Sequence, residues 1–203
     1  MDFDRPLDQF LGSPARVGVL RAICALPRGY AATGREIARR AAVTHPLEIR
    51  ILADLTEEGL IHRERVGRAD TYRLNTAHVL ADLLCGLFKR EKDIRADLMS
   101  FLREQVSSHA APARAAYLFG SAVQGPMRPD SDIDVALVWP GATPDESDKA
   151  RAAISEGLRR RYGNEGQVLV RTAPLSQRTA RGAWRRVLDS GIPLKGPARE
   201  DRG

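Results

Sequence analysis

The sequence predicts a chain of mixed α and β structure in two domains, the first helical and closed by a hairpin, the second an α+β or α/β unit built on a small mixed sheet. Three observations carry this. Apolar residues recur at helical spacing from Ser13 to Gly59 and then give way to two short extended segments. A long helical stripe follows, and beyond it strand and helix patterns alternate, as a small sheet covered by helices requires. The length, 203 residues, suits one large or two small domains.

The elements follow in order. Ser13-Pro14 offers an N-cap with proline at the first helical position, and Val17, Val19, Leu20, Ile23 and Leu26 line one face until Pro27-Arg28-Gly29 ends the helix. Thr33-Gly34-Arg35-Glu36 has the spacing of a capping box and opens a short second helix. Thr44-His45-Pro46 opens a third, with Leu47, Ile51, Leu52 and Leu55 on its apolar face and Gly59 as its stop. Leu60–Val66 and Thr71–Leu74 then form a hairpin around Gly67-Arg68-Ala69-Asp70.

After Asn75, with Thr76 as cap, Leu80, Leu83, Leu87, Ile94, Leu98, Phe101 and Leu102 make a helical stripe reaching about Ser108. Unbroken, that helix would extend ~50 Å, with Gly86 as the point of a bend. Beyond a junction at Ser107–Pro112 come a strand at Ala115–Phe119, a strand at Ile133–Val138, a helix near Asp145–Tyr162, a strand at Gln167–Arg171 and a last helix near Gln177–Ser190. The predicted boundaries are residues 1–75, a connecting helical segment 76–108, and 109–203.

Composition narrows the classes. At 43% hydrophobic and 29% charged the chain is globular. No run approaches the roughly 20 apolar residues of a membrane span, and the acidic N-terminus does not read as a secretory signal. Cys24 and Cys85 lie in apolar helical runs and read as reduced, buried thiols of a cytoplasmic protein. A net charge of +6 permits a polyanionic partner without demonstrating one.

Helix, helix, turn, helix, hairpin is an order with a known use. Thr44–Ile61 resembles the third helix and first wing strand of bacterial winged helix-turn-helix regulators. That resemblance implies DNA as a partner, with His45, Glu48 and Arg50 near the groove-facing side of the third helix and Arg63, Arg65 and Arg68 in the wing. Regulators of this type read DNA as two-fold dimers, so a homodimer through the Leu80–Leu102 stripe is expected. The alternative reading is that these arginines are ordinary solvated strand residues, and winged helices also serve as protein-contact modules.

The sharpest signal lies further on. Leu118-Phe119-Gly120-Ser121 is followed, ten residues after Ser121, by Asp132-Ile133-Asp134. Strand alternation puts Asp132 and Asp134 on one face, Cα atoms ~7 Å apart. Two adjacent carboxylates repel unless a cation neutralises them, and magnesium accepts one or two carboxylates plus substrate phosphates. A glycine at the end of a strand lets backbone approach a phosphate, and the Ser121 hydroxyl adds a donor.

This combination resembles the nucleotidyltransferase fold of the DNA polymerase beta superfamily, especially its small bacterial members, over about residues 93–196. By that resemblance Gly120 and Ser121 hold the nucleotide, and Asp132 and Asp134 are the catalytic carboxylates that hold Mg2+. The implied reaction moves a nucleoside monophosphate from an NTP to a hydroxyl acceptor on a protein, RNA or small molecule. Active relatives usually carry a third carboxylate on a later strand. Gln167–Arg171 contains none, and only Glu165 lies just upstream. The alternative function is therefore a DNA-binding regulator, antitoxin-type and paired with a toxin among its forms, whose degenerate nucleotidyltransferase domain senses nucleotide.

Overall fold

The computed structural model describes residues 3–124, 131–176, 178 and 180–196, and the chain divides into two compact units, Arg5–Asp93 and Met1–Asp4 with Ile94–Gly203. In the first unit α1 (Pro6–Phe10) and α2 (Pro14–Cys24) precede β1 (Ala32–Thr33), α3 (Gly34–Ala41), α4 (His45–Glu57), β2 (Ile61–Val66) and β3 (Ala69–Leu74). The strands form an antiparallel sheet in the order β1-β3-β2. Val66 pairs with Ala69, so only Gly67 and Arg68 form the hairpin turn, and the second strand starts at Ala69, two residues earlier than the sequence pattern suggests. Gly67 has φ +60°, a conformation open to glycine at little cost.

Helix periodicity accounts for the core here. Val19 and Ile23 of α2, Ile37 of α3, and Ile51, Leu52 and Leu55 of α4 close on Leu60 and Ile61. Leu47 departs from expectation: it is exposed, because the first turn of α4 projects past this core. Thr33 caps α3 by accepting from Glu36 N at 3.3 Å, but the reciprocal half of the expected capping box is not formed. The Glu36 carboxylate is held instead by Arg40 and Tyr30.

α5 spans Ala81–His109, 29 residues, and continues through Gly86 without a break. Its start is not at Thr76. Asn75 organises the preceding turn, accepting from Ala77 N and donating to Gly59 O, and His78 Nδ1 accepts from Leu80 N. The early part of α5 is tied to α2 in this unit through Arg21. Arg21 donates to the buried carboxylate of Glu91 at 2.6 Å and to Asp8 at 2.6 Å, while Leu7 N also donates to Glu91. These contacts fix α1, which the sequence pattern does not reveal.

The second unit is built on β4 (Ala115–Phe119), α6 (Ser121–Gln124), β5 (Ile133–Val138), α7 (Pro144–Tyr162), β6 (Gly166–Arg171), α8 (Ala183–Ser190) and β7 (Ile192–Lys195). Its sheet has the order β6-β5-β4-β7, with β5 and β6 parallel and the other neighbours antiparallel. The last helix was expected from Gln177; it starts at Ala183, and Gln177 and Thr179 lie outside the described residues. Ile192–Lys195, just past that helix, is a strand beside β4.

Strand alternation divides the sheet into two faces. Ile133, Val135 and Leu137 enter a core with Leu98, Leu102 and Val106 of α5 and Ala150, Ile154 and Leu158 of α7. Phe119 and Ala136 on the other face pack against Val187 and Trp184 of α8. The apolar stripe of α5 therefore has two fates. Leu98 and Leu102 are buried, whereas Leu83 and Leu87, and Leu80 just before the helix, are exposed, Leu83 to 69%.

A full capping box, unforeseen from the sequence, opens α7. Thr143 Oγ1 accepts from Glu146 N at 3.2 Å, and the Glu146 carboxylate accepts from Thr143 N at 2.8 Å. These bonds hold the Glu146 carboxyl below the ordinary glutamate range. Thr143→Ala is expected to lower the melting midpoint of this unit by about 2–4 °C at neutral pH. Because the cap depends on ionised Glu146, its contribution is full above the ordinary glutamate pKa and lost as pH falls through the lower folded value. Calorimetric melts of both proteins should converge toward acid pH.

Candidate functional site

Two places gather the residues singled out in the sequence. The first lies where β4 ends. Phe119 is paired with Asp134, so the turn at Gly120–Ser121 leaves the sheet directly beside Asp132 and Asp134. Gly120 adopts φ +76°, and a Cβ there would fall on Asp134 Oδ2 and within 2.9 Å of Cγ. Glycine is thus required twice, by the left-handed backbone and by the carboxylate occupying the space of a side chain. Ser121 Oγ donates to the Asp132 carbonyl at 3.4 Å, a long bond that leaves the hydroxyl easily redirected.

Asp132 is exposed and Asp134 half-buried. Burial raises the Asp134 carboxyl above the usual aspartate range, the charge of Asp132 raises it further, and Arg186 on α8 opposes both. In the sequence Arg185 and Arg186 beside Trp184 invite a nucleic-acid contact, with Trp184 as core; the fold of α8 over this face of the sheet instead brings Arg186 near Asp134. Trp184 packs in the α8 core, with the Arg171 guanidinium 5.8 Å from its ring.

The position sharing a rung with Asp134 on the neighbouring parallel strand is Gln167, an uncharged amide. Glu165 accepts from Ile133 N through its carbonyl at 2.9 Å, and the residue is exposed. Among the described residues no three His, Cys, Asp or Glu side chains cluster in a way that could hold a metal ion. The available anionic donor set is a pair of carboxylates, which suits a hard cation only when a ligand's phosphate oxygens complete the shell. Of the three consecutive arginines ending α7, Arg159 pairs with Glu156 and Arg161 with Asp97.

The second place is a groove of about 920 Å³ between α4 and the β2–β3 hairpin. His45, Glu48, Arg63, Arg65 and Arg68 all line it, together with Arg35 of α3, while Arg50 is not among the lining residues. Glu48, expected as a groove-facing residue, has its carboxylate buried. It is 1% exposed, receives a 2.8 Å hydrogen bond from His45 Nδ1, and fills the space a side chain at Gly34 would need. The physical reason is local: helical spacing turns position 48 inward against the start of α3, three residues before core residue Ile51.

The hairpin cations are partly committed. Arg63 and Arg65 both donate to Asp70, at 2.6 and 3.2 Å, and hold its carboxyl below the usual aspartate range. Arg68 stands at the turn between β2 and β3 and makes no ion pair among the described residues.

Comparison with known proteins places part of this geometry. Residues 102–172, which include Gly120, Ser121, Asp132 and Asp134, match the family described as Polymerase beta, Nucleotidyltransferase. No curated protein matches the chain. Among solved structures, a mutant of the toxin-antitoxin MntA-HpeT is 19% identical, with a TM-score of 0.39 over 51% of this chain and 77% of that one. MepR, a transcription regulator of the Staphylococcus aureus multidrug efflux pump MepA, is 22% identical, with a TM-score of 0.38 over 54% and 82%. A MarR-family transcriptional regulator from Silicibacter pomeroyi is 20% identical, with a TM-score of 0.36 over 52% and 79%.

Gly120→Ala tests the constraint at the end of β4. It is expected to cost about 1–3 kcal/mol, combining left-handed backbone strain with displacement of Asp134. Denaturant unfolding of the variant checks this, and a stability within error of wild type would refute the close approach.

Proposed function

We propose that the unit containing residues 94–203 binds a magnesium–nucleoside triphosphate at Gly120, Ser121, Asp132 and Asp134 and transfers its nucleoside monophosphate to a hydroxyl acceptor. One observation carries the reading: the carboxylate of Asp134 lies directly over the left-handed Gly120 turn, inside the segment that matches the nucleotidyltransferase family. Gly120 keeps side-chain bulk away from an approaching phosphate chain, and Ser121 supplies a hydroxyl donor beside it. Asp132 and Asp134 would hold the magnesium ion, whose chemistry when bound is charge neutralisation and Lewis-acid polarisation of the phosphoryl group. Arg186 supplies a further positive charge facing the carboxylates.

In this reaction the acceptor oxygen attacks the α-phosphorus in line, and pyrophosphate leaves. The acceptor proton must go to a base, and Gln167 offers none on the rung beside Asp134. That amide favours a second reading, in which the site binds nucleotide without turnover. Such a protein senses nucleotide while the Arg5–Asp93 unit binds DNA through the groove beside α4. Release of pyrophosphate from Mg-NTP, measured with candidate acceptors, separates the two readings.

Asp132→Asn combined with Asp134→Asn is expected to abolish Mg-dependent NTP binding in calorimetry, since both anionic ligands are lost. It should also raise the melting midpoint of the metal-free protein by about 1–2 °C, because a half-buried charge and its repulsion disappear. Unchanged Mg-NTP affinity would overturn the site assignment.

DNA binding, the expectation for the groove, is tested separately. Affinity should fall with salt, and Arg65→Ala with Arg68→Ala should weaken binding across sequences while lowering the log–log salt slope by roughly 1–2. Fluorescence anisotropy at several salt concentrations checks both. An absence of salt-dependent DNA binding would leave the winged unit as a protein-contact module.

A further inference from the structure

The chain has two cysteines, Cys24 at the end of α2 and Cys85 in the first turns of α5. Both belong to the Arg5–Asp93 unit, and both are half-buried. The helices carrying them are joined by a side chain from the last turn of α2. Arg21 of α2 reaches Glu91 of α5 at 2.6 Å and sits 5.5 Å over the ring of Phe88. One helical turn forward from Arg21 is Cys24, and one turn back from Phe88 is Cys85. This register aims the two thiols at each other, and burial together with the neighbouring Cys85 sulfur raises the Cys24 thiol.

Ordinary core packing gives no reason for the chain's only two sulfhydryls to meet. Nor does a metal: among the described residues no third His, Cys, Asp or Glu completes a cluster with them. We propose that Cys24 and Cys85 are a reversible dithiol–disulfide couple, oxidised by a hydroperoxide and restored by a small dithiol. Where a glutathione pool keeps thiols reduced, such a pair rests as two thiols and joins only under oxidant.

The two roles are interchangeable; with Cys85 meeting the oxidant, Cys24 resolves. The Cys85 sulfur takes one peroxide oxygen, the O–O bond breaks, and water leaves, giving a sulfenic acid. Next the Cys24 sulfur attacks the Cys85 sulfur, the S–O bond breaks, and the Cys24 proton departs with the hydroxide as a second water. Two thiols lose two electrons, and one hydrogen peroxide becomes two waters. The new bond encloses β1, α3, α4, β2 and β3 in one covalent loop, so every element lining the groove lies inside it.

The test uses the full chain, fully reduced and then exposed to hydrogen peroxide. Alkylation of remaining thiols, peptide mass mapping and a non-reducing gel follow. The expected result is a Cys24–Cys85 linked peptide, a monomeric gel band, loss of both free thiols and their return with dithiothreitol. The oxidised protein should melt several degrees above the reduced one, a gain that Cys24→Ser and Cys85→Ser each remove. Persistent free thiols, sulfinic or sulfonic acids as the main product, or chain-to-chain disulfides would overturn the proposal. Should the serine variants fail to fold, the wild-type peptide map alone decides.

Discussion

The register between β4 and β5 is the constraint from which the candidate site follows. Pairing Phe119 with Asp134 sets the end of one strand against a carboxylate on the next, and only a residue without a side chain can leave the sheet there. Gly120 does so with a positive φ, which turns the chain sharply enough for Ser121 to begin α6 beside Asp132. The same alternation that sends Ile133 and Val135 into the core leaves Asp134 on the face covered by α8. Fold and chemistry are thus set by one hydrogen-bonded rung: the apolar residues bury the sheet, and the residues between them line its polar end.

Much of this was legible before any coordinates. Asp132-Ile133-Asp134 followed by an apolar run can be read as a strand with two acids on one side, because a period of two leaves no alternative. The Gly120–Ser121 turn was legible for the same reason, as glycine after an apolar strand marks a close approach. Long-range partners were not. Nothing near position 186 indicates that Arg186 faces Asp134, since α8 reaches that face only through the packing of Val187 and Trp184. Short elements escaped for a different reason: β1 has two residues and exists only through its pairing with β3.

Helical periodicity has its own limit, visible in α4 and α5. It reports which residues share a face and is silent on whether anything covers that face. Leu98 and Leu102 meet a sheet, whereas Leu80 and Leu83 continue the same stripe into solvent. Leu47 shares a face with Ile51, yet it lies beyond the helices on which Ile51 rests. Glu48 shows the converse, a charged side chain enclosed because the start of α3 and His45 both accommodate its carboxylate.

Asp70 gives the wing a property that a count of its arginines would miss. By bridging Arg63 and Arg65 it acts as a tethered counterion, present at a fixed and high local concentration. An incoming anion must exchange with it and does not simply add to a bare positive surface. A lone carboxylate offers these guanidinium groups little beyond what Asp70 already provides. A ligand with several closely spaced charges would replace Asp70 while engaging Arg68 in the same step, so charge density, before shape, is what such an exchange would reward.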